Sequence, residues 1–159
     1  MKYYMVGYMY SGKTTFGRKL AMERGMEFAD LDQVFEQHYH YTVNDFFRRF
    51  GESAFRKLET QLLHTTSVWD NVVVATGGGT PCHSGNMDFI VGSGTAVYLK
   101  MTVDDLLRRA VRSHRPRPAM RGLTEQEIRE KIALQLPIRE PFYMQSQIVL
   151  DGNAPQLHL

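Results

Sequence analysis

The chain alternates between two apolar rhythms. Short β-branched or aromatic runs recur at residues 2–6, within 25–32, and at 71–76, 94–101 and 147–150. Each reads as a strand, and the run Asn71-Val72-Val73-Val74-Ala75-Thr76 has the unbroken form of a central parallel strand covered on both faces. Between these runs apolar residues return at helical spacing. Residues 16–22 predict a first helix and 33–38 a second. Thr42 with Asp45 starts a helix through Phe46, Phe47 and Phe50 that Gly51 closes. A further helix over 52–68 carries Phe55, Leu58, Leu62 and Leu63. Thr102 opens a helix through Val111, and Thr124 with Glu127 opens one to about Leu136, after which Pro137 begins another turn or two. Strand and helix in alternation predict an α/β fold: three layers, α/β/α, around a central five-stranded parallel sheet with right-handed crossovers.

Candidate chemistry sits where strands end. The first strand runs straight into Gly7-Tyr8-Met9-Tyr10-Ser11-Gly12-Lys13-Thr14-Thr15, a G-x-x-x-x-G-K-T match placed between strand and helix. Loop and first-turn amides in such a segment point inward and bind an anion. Gly12 admits phosphate close to the backbone, Lys13 neutralises the β- and γ-phosphates, and the Thr14 hydroxyl is placed for Mg²⁺. Asp30 and Asp32 end the second strand, where a spacing of two puts both on one side of an extended chain; they read either as a helix cap (Asp32) and a solvated acid (Asp30), or as metal and substrate groups facing the phosphate loop. The third strand ends in Gly77-Gly78-Gly79, either a tight turn or bare backbone against which a substrate lies. Arg56, one turn from Glu59, reads by default as half of a surface ion pair. Residues 113–122 concentrate arginines and prolines, as a lid over a phosphoryl group or as an exposed basic linker. Cys82 and His83 lack a second ligand cluster at metal spacing.

Composition narrows the setting. At 159 residues and 43% hydrophobic content the expectation is one domain over 1–159. With 19 basic and 17 acidic residues, charge gives no reason to expect a nucleic-acid surface. A single cysteine fits a reducing cytoplasm, the apolar run before Gly7 is too short for a secretory signal, and no stretch reaches a membrane span. The expected setting is cytoplasmic. Size and the lack of an Asn-Lys-x-Asp segment point away from motors and GTPases, toward a small nucleotide-dependent kinase.

In the order of these motifs, from Gly7 to Pro155, the chain resembles shikimate kinase. That resemblance implies ATP-dependent phosphorylation of the shikimate 3-hydroxyl, with ATP and Mg²⁺ required, in a monomer with neither membrane nor nucleic-acid partners. It implies nucleotide contacts from Ser11, Gly12, Lys13, Thr14 and Thr15, with Thr14 and Asp30 toward the metal. Asp32 would orient or deprotonate the acceptor hydroxyl, while Arg56 and Arg139 would bind the substrate carboxylate and Gly77, Gly78 and Gly79 support its ring. Arg117, before Pro118, looks like the lid arginine, although Arg115-Pro116 presents the same pair two residues earlier. Arg109 and the turn ending at Pro155 would flank the adenine. The helical segment of about 32–62 would hold the substrate and about 112–123 would form the lid. The sequence departs from the family at Tyr10, where a glycine is usual, and it ends at Leu159 where the family continues with a helix. A kinase for another polyol acid such as gluconate shares the loop and size but leaves Asp32, Arg56, the glycine triplet and Arg139 unexplained together. A catalytically impaired nucleotide-binding module is the other alternative.

Overall fold

A buried strand must satisfy its backbone through ladders on both edges, and the apolar runs do so in one sheet. The computed structural model describes residues 1–113 and 120–157. Strands β1 (Lys2–Val6), β2 (Glu27–Asp30), β3 (Val72–Ala75), β4 (Thr95–Lys100) and β5 (Ile148–Asp151) are all parallel, in the order β2-β3-β1-β4-β5. Central β1 and β3 are buried along their whole length, whereas edge strands β2 and β5 are only partly covered, which is why their apolar signal is weaker. Helices α1 (Lys13–Arg24), α2 (Leu31–Tyr39), α3 (Val43–Thr65), α4 (Asn86–Ser93), α5 (Val103–Arg112) and α6 (Glu125–Tyr143) complete the fold.

Alternate strand residues feed opposite faces. Tyr3, Met5, Val73, Ala75, Val97 and Leu99 pack with Phe16, Leu20 and Ala21 of α1. Tyr4, Val6, Val74 and Tyr98 pack on the other face with Leu63, Ile90, Leu106, Ile132 and Tyr143. The sheet is therefore the middle of three layers, as the alternation predicts. Phe35, Phe46, Phe55 and Leu62 make a separate aromatic cluster that joins α2 to α3 outside those layers. Lys2, the first residue of β1, is buried, and its ammonium donates to the carbonyls of Thr66 (2.6 Å) and Ser67 (3.2 Å) just beyond α3, as a cation placed at a helix C-terminus does.

The two helices expected on either side of Gly51 are both present within α3, separated at Gly51 by non-helical backbone (φ 86°, ψ 171°). Three local expectations change. Helix α6 continues through Pro137 and Pro141 instead of restarting. Both prolines and the Ala133 carbonyl partner of the first lie on the exposed side, where water replaces the missing amide, while Ile132, Leu136 and Tyr143 anchor the buried side. Helix α4 was not foreseen, because its eight residues contain Gly92, no side-chain cap and little amphipathic pattern. Helix α2 starts at Leu31 with Asp30, not Asp32, as its cap. Among the described residues no helix is long and apolar enough to cross a membrane.

Candidate active site

The carboxyl ends of β1, β2 and β3 open on one side of the sheet, at the point where the chain order reverses, so the segments leaving them share a crevice. From β1 comes the phosphate loop. Its curvature needs left-handed backbone at Gly12 (φ 90°), and a Cβ there would also stand 2.8 Å from the Arg109 guanidinium. Ser11 is 1% exposed, and its Oγ, tucked against Gly7, has no hydrogen-bond partner among the described residues. Lys13 opens α1 and donates through Nζ to the loop carbonyls of Gly7 (2.7 Å) and Tyr8 (3.0 Å), folded over its own cradle. Thr15, on the same turn, is exposed. Tyr10 adopts φ 71°, so the loop keeps the backbone a glycine would give while carrying a Cβ.

From β2 comes Asp30. One of its oxygens caps α2, accepting from the amides of Asp32 (2.9 Å) and Gln33 (3.3 Å); the other accepts from Thr14 Oγ1 at 2.9 Å. The cap fixes the carboxylate so that its second oxygen meets the Thr14 hydroxyl. Two convergent oxygens of this kind suit Mg²⁺, which keeps water and phosphate ligands for its remaining positions. Asp32 lies in the first turn of α2 and is half-buried; its relation to Asp30 is set by the helix start, not by an extended chain.

From β3 comes the glycine triplet, and the acceptor side is assembled around it. A Cβ on Gly77 would lie 3.3 Å from Asp32 Oδ1 and 3.4 Å from Glu59 Oε2. A Cβ on Gly78 would lie 3.2 Å from the Met9 amide nitrogen and 3.4 Å from Arg139 Nη1, and one on Gly79 would overlap the Arg56 guanidinium. The triplet is therefore bare because the phosphate loop, Asp32, Arg56 and Arg139 all close on it. The Tyr143 hydroxyl donates to the Gly78 carbonyl, and burial holds that phenol well above its ordinary pKa. Arg139 lies over the Tyr8 ring at 5.5 Å, and the Tyr8 hydroxyl donates to Gln135 Oε1 (2.5 Å); burial, opposed by Arg139, pushes the Tyr8 pKa up to about 12. Burial likewise raises the Cys82 thiol, against the pull of Arg139.

The Arg56 ion pair is not a surface pair. Its partner Glu59 has a side chain 6% exposed, against 20% for Arg56, and Glu59 Oε1 accepts from Arg56 Nη1 at 2.8 Å. Thr80 Oγ1 donates to Glu59 Oε2 (2.7 Å), and His83 Nε2 lies 2.8 Å from Oε1. Burial alone would raise this carboxyl, but His83, Arg56 and Thr80 together hold it below its ordinary value of 4.5. The i,i+3 spacing of Arg56 and Glu59 was legible, and the signal for burial was there too: Glu59 stands four residues after Phe55 and three before Leu62, on the apolar face of the helix. Thr80, His83 and Tyr8 are the residues the sequence left without a role, and Glu59 read only as a surface partner of Arg56.

Arg109, from α5, donates to the Tyr10 carbonyl (3.3 Å) and to the Gly152 carbonyl (2.9 Å), joining the phosphate loop to the turn after β5 that leads to Pro155. Asn153 in that turn donates to Asp105 (2.9 Å). Arg115, Arg117 and Pro118 lie outside the described residues, and with them half of the expected lid.

The shikimate kinase family model matches residues 9–157. The shikimate kinase of Parabacteroides distasonis is 42% identical over 150 residues, covering 94% of this chain and 87% of that relative. The crystal structure of shikimate kinase from Bacteroides thetaiotaomicron superposes with a TM-score of 0.93 at 37% identity, over 96% of this chain and 87% of that one. Shikimate kinase from Acinetobacter baumannii, solved in complex with shikimate, gives a TM-score of 0.84 at 33% identity, over 98% and 84% of the two chains.

Proposed function

This chain belongs to the shikimate kinase family, ATP-dependent phosphotransferases, and from that premise we propose that the crevice around residues 77–79 is where it phosphorylates the shikimate 3-hydroxyl, giving shikimate 3-phosphate and ADP. The observation that carries this assignment is the position of Gly78, packed between the phosphate loop at Met9 and the Arg139 guanidinium. A six-membered ring resting on that strip would have its carboxylate toward cations and a hydroxyl toward the loop.

Phosphoryl transfer asks a protein mainly for positioning and charge. Ser11, Gly12 and the first-turn amides, with Thr15 at the exposed rim, receive the phosphates; on nucleotide binding Lys13 exchanges its two loop carbonyls for phosphate oxygens. Thr14 and Asp30 would hold Mg²⁺, which when bound neutralises charge on the phosphate oxygens. Asp32 accepts the acceptor hydroxyl's proton or its hydrogen bond, turning the oxygen toward the γ-phosphate. Arg56 and Arg139 present guanidinium forks to the carboxylate, a geometry a lysine cannot match. Arg109, bridging Tyr10 and the turn toward Pro155, borders the adenine. Arg117 keeps the lid role that the resemblance gives it. In this reading the chain acts as a cytoplasmic monomer.

The test is ADP release measured with shikimate, gluconate and nucleoside monophosphates as acceptors. Shikimate alone should support turnover. Turnover with gluconate but not shikimate would sink the acceptor assignment, and ATP binding without any acceptor-dependent ADP release would mean an impaired module.

A further inference from the structure

One donor in the acceptor network belongs to a residue no part of the mechanism uses. His83 follows the short 3-10 turn Thr80–Cys82 and its side chain is 22% exposed. Nδ1 lies 3.0 Å from Ser84 Oγ and Nε2 lies 2.8 Å from Glu59 Oε1. A carboxylate accepts only, so Nε2 carries a proton and donates to Glu59, while Nδ1 shares a hydrogen bond with the Ser84 hydroxyl. Glu59 Oε1 is thus shared by two donors, His83 from the loop and Arg56 from its own helix, while Oε2 accepts from Thr80.

Arg56 has a second acid within reach. Its Nε lies 3.5 Å from Glu52 Oε1, and Glu52 is 69% exposed on the turn before. The two acids pull the guanidinium in different directions: Glu59 inward to the triplet, Glu52 outward to solvent. A terminal carboxyl torsion is soft. With His83 absent, Glu59 would keep Thr80 on Oε2 but would have on Oε1 only the guanidinium it is meant to position, so the inward partner would be held less firmly.

We propose that His83 is a positioning residue for acceptor binding: its hydrogen bond locks Glu59, and the locked Glu59 keeps Arg56 turned toward Gly79. This rests on the reading of Arg56 as a carboxylate-binding residue. The effect belongs in shikimate affinity, because the imidazole bonds Glu59 and Glu59 holds Arg56.

The experiment compares His83→Phe, which keeps a ring without the donor, with His83→Gln, which restores an N–H at similar reach. His83→Phe should raise the shikimate KM about fivefold, with kcat and the ATP KM within about twofold of wild type, the scale of one hydrogen bond spent on ground-state binding. His83→Gln should recover wild-type KM. If the phenylalanine lowers Tm, His83→Ala repeats the comparison without added bulk. An unchanged shikimate KM in a folded donorless variant, or an equal rise in both KM values, would overturn the proposal. Arg56→Ala is run beside them. If it leaves the shikimate KM unchanged, the carboxylate reading itself fails; if it raises that KM while His83→Phe does not, only the role of His83 fails.

Discussion

The phosphate loop takes its groups from one unbroken stretch, residues 7–15, while the acceptor face gathers Asp32, Arg56, residues 77–79 and Arg139 from four separate segments. The loop works through backbone amides and one ammonium that already has carbonyl partners within its own turn. On the acceptor face, Arg56 depends on a buried carboxylate, Glu59, on which Thr80 and His83 also converge. The first can lose a side chain and keep its shape. The second loses its shape with one side chain, so the two halves should fail in different ways when cut.

Lys13→Ala is the deepest cut at the loop. Losing one preorganised charge aimed at the transferring phosphoryl group should lower kcat by about 10²–10³-fold. Because Lys13 is half-buried and its partners are carbonyls at a cleft surface, Tm should hardly change. Steady-state kinetics beside a thermal melt checks both halves of the statement. A large loss of Tm would erase the contrast, since the loop would then also depend on a side chain for its shape.

Glu59→Gln makes the opposite cut. It leaves Arg56, four-fifths covered, beside a neutral amide, and should destabilise the fold by about 2–3 kcal/mol in urea unfolding. The carboxyl is held below 4.5 in the folded chain, so its contribution is complete above that pH and disappears as pH falls through the lower folded value. The stability gap between wild type and Glu59→Gln should therefore close in acid. A gap that persisted unchanged well below pH 4.5 would mean that packing at Glu59, not its charge, holds the acceptor face.

The same difference explains what could be read in advance. The loop, its strand and its helix are contiguous, so residue type and spacing carry their whole meaning, and Ser11 to Thr14 lie where the motif puts them. The five strands were legible because central strands are continuous apolar runs. Arg56 and Arg139 were found through the resemblance, but the reason they lie along one strip is tertiary: bare backbone at residues 77–79 lets α3 and α6 approach it. The burial of Glu59 went unread although its spacing puts it on one face with Phe55 and Leu62, and His83 stayed hidden because nothing local marks a loop histidine as its partner. Helix α4 stayed hidden because it lacks a cap and carries Gly92. Asp30 and Asp32 were paired correctly in space by an incorrect route, since one caps the helix in which the other stands.

Tyr10 tests whether the loop's independence from side chains has a limit. Its φ of 71° places a Cβ against the following carbonyl, at a cost of about 1–2 kcal/mol for an L-residue. Its side chain offsets part of that by packing partly buried beside the larger core cluster. Comparing Tyr10→Gly directly with wild type would mix the two effects. Tyr10→Ala removes the packing and keeps the Cβ, whereas Tyr10→Gly removes both, so the difference between these variants isolates the backbone strain. Glycine should be the more stable of the pair by about 1 kcal/mol, the left-handed penalty less glycine's larger unfolded-state entropy. The ATP KM should be the same in both, because Arg109 holds the residue's carbonyl and not its ring. Equal stability would show that the backbone at this position relaxes once the tyrosine is gone, and that the ring itself sets the loop's curvature.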